Sequence, residues 1–283
     1  MVGKTLSLAA SEGIPVSPGL AGLESEWKEF FASIGEKPFR GSQAFQRLHH
    51  KFATSWEEFS EFPVSLRQKL IESFPLDTVR ILHSNIADGG TEKVVFELQS
   101  DPRGRPRRVE AVWIAAEERR TICISSQVGC SLNCRFCATA TLPFQGNLTA
   151  AEILIQVYAL IRHRRELPTN IVFMGMGEPF YNYDAVIRAA DLLHRKPGLA
   201  LGARHITIST AGVIPGLERF IAEEQPYNLA ISLNVPHEAN RSALMDINRR
   251  YALSDLLKVA ARFTRELRRK ITFEYIMMPG YNM

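Results

Sequence analysis

Apolar and polar positions alternate with two different periods along this chain, and the change of period divides it. In "LESEWKEFFASIG" (23–35), "SQAFQRLHHKF" (42–52) and "LRQKLIESF" (66–74) the apolar residues recur every three or four positions, as in helices with one buried face. "TSWEEFSEFP" (54–63) reads as a short connecting element. From Val79 the period shortens: "EKVVFELQS" and "RRVEAVWIAA" alternate as strands do, on either side of the turn-rich "DPRGRP". From Thr121 short β-branched runs take over: "TICISSQ", "NIVFMG", "RHITIST", "YNLAISLN" and "KITFEYIMM". Helical stretches separate most of them: "LTAAEILIQVYALIRHRREL", "YDAVIRAADLLHRK", "IPGLERFIAEE" and "LSDLLKVAARFTREL". Thr149 and Glu152 form a capping box for the first of these, and Pro215 suits the first turn of the third.

Buried strands alternating with helices predict an α/β fold with a parallel sheet, either open or curled toward a barrel. Its chemistry is expected at the C-terminal ends of the strands. The pattern gives four segments: a loose leader over 1–20, a helical domain over 21–78, a β-strand linker region over 79–120 and an α/β core over 121–283. The 283 residues, 46% apolar and 23% charged, are those of a globular chain able to bury a sizeable core. A net charge of +4 is too mild to identify a partner. Its distribution says more, with clusters at Arg103–Arg120, Arg162–Arg165 and Arg265–Lys270. Such clusters are ordinarily solvated faces, and a nucleic-acid surface is the alternative. No apolar run reaches the roughly 18 residues of a membrane span, and the start is too short in apolar residues for a signal-peptide core. A cytoplasmic protein with no membrane contact is expected.

All four cysteines lie between Cys123 and Cys137, which is no disulfide framework and points to metal or redox chemistry. Cys130, Cys134 and Cys137, in "GCSLNCRFCATA", are spaced C-x3-C-x2-C on a loop after the first core strand. Thiolates suit zinc or iron–sulfur clusters. A structural zinc closes its tetrahedron with four protein ligands. Three cysteines on a 4Fe-4S cluster leave one iron open to a small chelating ligand.

C-x3-C-x2-C in a βα unit, with Phe136 before the last cysteine, resembles the radical S-adenosylmethionine (SAM) superfamily. The motifs "TICISSQVGCSLNCRFCATA", "VFMGMGEP", "ITISTAG", "LAISLN" and "ITFEY", in this order, resemble the RlmN/Cfr family of radical-SAM RNA methyltransferases. "KPFRGSQAFQRLHHKF" and "DGGTEKVVFEL…VEAVW" are similar to it too, so the resemblance runs from about Leu23 to Asn282. It implies a partial (β/α) barrel preceded by a helical RNA-binding domain and a β-hairpin region. It also implies a 4Fe-4S cluster on Cys130, Cys134 and Cys137, with SAM bound through Gly177, Glu178, Ser209, Ser232, Leu233 and Asn234. Without the family, "GMGEP" is a turn after a buried strand, and a serine at a strand end is a cap.

The activity implied is methylation of C2 of adenosine in 23S rRNA and tRNA by a monomer fed by an electron donor such as flavodoxin. In that chemistry a methyl-carrying cysteine adds carbon to the base. Cys123 matches the cysteine that resolves the adduct as a disulfide, and Glu110 matches the proton acceptor. Alone, Cys123 reads as a small buried hydrophobe and Glu110 as a strand-face carboxylate. The methyl-carrying cysteine is expected well past "ITFEY", yet no cysteine follows Cys137, so the core is expected to be truncated at its C-terminus. Asn234, Asp246 and Ala140 stand where the family has histidine, proline and glycine. The competing expectation is a non-catalytic RNA-binding remnant that holds a cluster or zinc.

Overall fold

The computed structural model describes residues 17–282. Of the leader expected over 1–20, residues 1–16 lie outside the described residues. The chain divides into two compact units, one reaching to Asp77 and the other beginning at Thr78.

The first unit is helical: α1 (Glu24–Ser33), α2 (Phe39–His50) and α3 (Val64–Ser73), with a 3-10 turn at Trp56–Glu58. Its core is aromatic. Trp27, Phe31, Trp56, Phe59 and Phe62 are all buried, with Trp27 meeting Trp56 edge to face at 5.9 Å between centroids, a favoured aromatic geometry. The Trp56 indole nitrogen donates to the Phe74 carbonyl at 2.7 Å, so the ring is buried without an orphaned donor. Gly41 lets α1 and α2 touch backbone to backbone, since a Cβ there would lie 2.3 Å from the Lys28 nitrogen.

The second unit is an α/β partial barrel built on an eight-stranded sheet. β1 (Arg80–Ile86), β2 (Glu92–Leu98), β3 (Arg107–Ala116) and β4 (Arg119–Cys123) run antiparallel to one another. The small ribbon β5 (Gln127–Val128) and β6 (Gly146–Asn147) follows. Then β7 (Asn170–Phe173), β8 (Ile206–Thr210), β9 (Asn228–Ser232) and β10 (Ile271–Glu274) continue the sheet from β4 in parallel. The strands expected as a linker region therefore share one sheet with the core. The helices between are α4 (Ala150–Arg164), α5 (Tyr183–His194), α6 (Ile214–Ala222), α7 (Glu238–Leu244), α8 (Ile247–Arg250) and α9 (Leu253–Leu267). Thr149 and Glu152 make the capping box of α4, and Pro215 lies in the first turn of α6.

Parallel strands covered on both faces would be apolar throughout. These are not, and the register explains why. Ile122, Ile171, Phe173, Ile206, Ile208, Leu229 and Ile231 are buried on one face. The other face carries Cys123, Val172, Thr207, Ser209, Ser232 and Glu274, which adjacent-strand pairings hold on one side. Most of these are only half-buried. One face is a dry core and the other faces a cavity. Among the described residues no helix is long and apolar enough to cross a membrane.

The basic clusters are largely tied into the fold. Glu92, 1% exposed, accepts from His163 Nε2 at 2.8 Å and Arg164 at 3.0 Å, and also from Ser84, joining β1 and β2 to α4. Arg107 pairs with Glu152, Arg105 with Asp101, and Arg120 with Glu166.

Candidate active site

The residues between β4 and the cysteine loop form a hydrogen-bonded platform. Ser125 Oγ donates to the Glu110 carbonyl at 2.6 Å and accepts from the Met176 amide at 2.9 Å. Gln156 of α4 brackets the Ser125 peptide, accepting from its nitrogen at 3.0 Å and donating to its oxygen at 3.1 Å. Gln127 accepts from the Glu178 amide at 2.9 Å and donates to Asn147 at 2.7 Å. A Cβ on Gly177 would lie 2.5 Å from the Gln127 Cβ, and its φ is +101°, so glycine is required twice over.

The cysteine loop leaves this platform and docks on the α7–α8 segment. Cys134 and Met245 form an antiparallel bridge, and the Arg135 amide donates to the Leu244 carbonyl at 2.9 Å. Asn133 Nδ2 donates to Asp246 at 3.2 Å, a bond that a proline at 246 could not accept. Ala140 sits in a 3-10 turn (Ala138–Thr141) and is not among the residues with positive φ, so glycine is not needed there.

Cys130, Cys134 and Cys137 line one cavity of about 480 Å³, within the range of small-molecule sites. Gly177, Glu178, Ser209, Ser232 and Asn234 line it as well. Leu233, Cys123 and Glu110 do not. Leu233 contributes its carbonyl to Arg241. Cys123 shares the cavity-facing side of the sheet, and Glu110 lies two residues along β3 from Val112, the cross-strand partner of Cys123. Glu110 is ion-paired with Lys93 at 3.1 Å near the surface.

Glu178 is 2% exposed. Its carboxylate accepts from the Phe180 amide at 3.0 Å and the Ala211 amide at 2.8 Å. Burial pushes its pKa up, while those amides and the Thr210 hydroxyl favour the charged form. A carboxylate offers about four lone-pair sites, so acceptor capacity remains toward the cavity. Ser209 and Ser232 both donate to Glu274 Oε2, at 2.8 and 2.7 Å. Glu274 lines the cavity and was not singled out from sequence. Its signal is a lone acid at the end of an otherwise apolar strand. Asn234 adopts φ +53°, a conformation asparagine tolerates. Its Oδ1 accepts from the Ile276 amide at 3.2 Å.

Burial pushes the Cys130 and Cys134 thiols up, the latter to about 12, with neighbouring anionic groups adding to the shift. Cys123 is pushed up to about 11, first by burial and further by Glu274, against a hydrogen bond from the Met174 amide. Buried thiols become thiolates beside a metal, a cationic side chain or a helix N-terminus. Among the described residues no three His, Cys, Asp or Glu side chains are grouped to hold a single metal ion. A cluster is ligated at separate irons, and three soft donors around one cavity beside a glycine turn fit that group.

The sequence profile of the Radical SAM superfamily matches residues 124–283, and that of the ribosomal RNA large subunit methyltransferase N-terminal domain matches 20–75. The probable dual-specificity RNA methyltransferase RlmN of Leptospira interrogans serogroup Icterohaemorrhagiae is 45% identical over 285 aligned residues, covering 100% of this chain and 79% of the relative. The dual-specificity RNA methyltransferase RlmN of Syntrophobacter fumaroxidans is 41% identical, covering 91% of this chain and 74% of its own length. The crystal structure of a radical SAM methyltransferase from Sphaerobacter thermophilus superposes with a TM-score of 0.87 at 36% identity, covering 93% of this chain and 77% of that one. With matches over this much of both partners, the chain belongs to the RlmN family of radical-SAM RNA methyltransferases.

Proposed function

We propose that this chain holds the cluster- and SAM-binding core of a methyltransferase for C2 of adenosine in 23S rRNA and tRNA, with a 4Fe-4S cluster on Cys130, Cys134 and Cys137 and SAM in the adjoining cavity. The methyl-carrying cysteine of that chemistry is not among its four cysteines. The observation that carries this is the convergence of three thiols with Gly177, Glu178, Ser209, Ser232 and Asn234 around one space. Its relatives are named dual-specificity RNA methyltransferases. When bound, the cluster and SAM supply a carbon-centred radical, which an electron from a low-potential donor such as flavodoxin makes available.

The chain's own residues bind and orient. Glu178 receives the SAM ammonium on its remaining lone pairs, while the Phe180 and Ala211 amides hold the carboxylate in place. Ser209 and Ser232 offer hydroxyls steered by Glu274. Asn234 closes the wall beside them. Cys123, a protonated thiol at neutral pH, would resolve the protein–RNA adduct by losing its proton and forming a disulfide with a methyl-carrying cysteine, a residue that is not among the four cysteines of this sequence. Glu110 takes the proton released from the base, with Lys93 beside it. Exposed basic residues contact the RNA backbone, whose charge favours them.

The test is anaerobic reconstitution of the chain, followed by incubation with SAM, reductant and either a 23S rRNA fragment or tRNA. Mass spectrometry is expected to find iron- and sulfide-dependent release of 5′-deoxyadenosine, with 2-methyladenosine in the RNA only when a methyl-carrying cysteine is also supplied. Bound zinc without sulfide would sink the cluster assignment. No 5′-deoxyadenosine from a loaded chain would overturn SAM binding at the cavity, and 2-methyladenosine formed by these 283 residues alone would overturn the need for a methyl-carrying cysteine.

A further inference from the structure

Arg241, on α7, is the most completely buried charge beside the cavity, at 1% exposure. Charges are ordinarily buried only when paired. Yet every hydrogen-bond partner of this guanidinium is neutral. It donates to the carbonyls of Ala211 at 2.7 Å and Ser232 at 3.1 Å, to that of Leu233, to Asn248 Oδ1 at 3.1 Å and to Met245 Sδ at 3.1 Å. The neighbouring acid, Glu238, is exposed at the start of α7 and is reached through Asn248, which donates to it at 2.6 Å. The guanidinium therefore ties together the loops after β8 and β9 while remaining without an ion pair among the described residues.

Its position supplies the missing counterpart. Met245, in contact through sulfur, lines the cavity with the three cysteines, and its backbone pairs with that of Cys134. Arg241 thus stands one residue behind the cysteine loop. Burial lowers its pKa to about 10, while Cys134 and then Glu238 act in the opposite sense, so it remains a cation at neutral pH. Three thiolates give a 4Fe-4S cluster net negative charge, and one-electron reduction deepens it. A buried cation nearby stabilises the reduced form more than the oxidised one, because Coulomb interactions are weakly screened there. Net charge around a cluster is one of the levers that set its potential.

We propose that Arg241 is the buried counter-charge of the cysteine-loop cluster, raising its reduction potential. This rests on the reading that Cys130, Cys134 and Cys137 hold a cluster. It goes beyond that reading by assigning the cation that makes the cluster reducible.

The experiment is an EPR-monitored redox titration of the reconstituted chain in the wild-type, R241K, R241Q and E238Q forms, with iron and sulfide measured on each sample. R241Q is expected to load the cluster and show a roughly tenfold smaller reduced-to-oxidised ratio at a fixed potential, a shift of about 59 mV to the negative for a one-electron couple. R241K, which keeps the charge, is expected to lie closer to the wild type. E238Q removes the offsetting anion while leaving an amide oxygen to accept from Asn248, and is expected to move the midpoint slightly to the positive. A loaded R241Q with the wild-type midpoint overturns the counter-charge role and leaves Arg241 a structural tie. If the Arg241 variants do not fold, an E238Q midpoint equal to or below that of the wild type overturns it instead. A wild-type chain that takes up no iron and sulfide overturns the underlying cluster reading, which is a different result.

Discussion

The helical unit and the cavity of the barrel unit bury different kinds of side chain, to different ends. Around Trp27, Trp56 and Phe62 the interior is ring against ring, with Trp56 satisfied by a single carbonyl. Around the cysteine loop the buried residues include Ser125, Gln127, Glu178, Asn182, Ser209, Asn234, Arg241 and Asn248, all but Asn248 bonded to residues distant in sequence. An apolar core of this kind is stabilised by area and shape. A polar interior gains little net stability but fixes one geometry, because any broken member leaves a buried group unsatisfied. Stability and function should therefore respond to different substitutions in the two regions.

The largest effect is expected from Cys134→Ala, with loss of essentially all bound iron and sulfide after reconstitution and an unchanged far-UV circular dichroism spectrum. An unfolded spectrum would show that the loop is a stability element like the aromatic core. Trp56→Ala should do the reverse, costing about 3–5 kcal/mol in denaturant unfolding of the helical unit through lost ring packing. A cost under about 1 kcal/mol would remove the contrast. Glu178→Gln keeps the shape but removes the charge, and should weaken SAM binding about 10- to 100-fold in equilibrium dialysis, the range for hydrogen bonds to charged groups. Glu274→Gln should weaken it by less, about threefold to tenfold, because it acts through Ser209 and Ser232.

The last of these comparisons concerns pH. With Cys130, Cys134 and Cys137 changed to serine, alkylation of Cys123 should be slow at pH 8 and accelerate as pH approaches 11, since burial favours the protonated thiol. A half-maximal rate at about pH 8.5 would show the thiol to be unperturbed.

What sequence could reveal follows the same division. Periodicity located α1, α2 and α3, the Thr149–Glu152 cap and the core strands, because each is a local pattern. The cysteine spacing and "GMGEP" marked the cavity for the same reason. Glu274, Gln127, Ser125 and Arg241 were silent, since their meaning lies in partners 15 to 65 positions away. The parallel strands looked buried on both faces because Val172 and Thr207 are as β-branched as the residues of the dry face, and only register shows which side meets the cavity. Leu233 lies in a cavity-forming loop, yet it turns its carbonyl to Arg241 rather than lining the space.

The ties of Glu92 to His163 and Arg164, and of Arg107 to Glu152, have a consequence for the proposed grip on RNA. A cation neutralised inside the fold displaces no counterion when a phosphate arrives. The logarithm of RNA affinity should therefore fall with the logarithm of salt at a slope set by the unpaired surface cations alone, at about 0.7 per single-strand phosphate contact. That slope should be shallower than the basic clusters in the sequence suggest, which makes the chain a weaker polyelectrolyte partner than its arginine count implies.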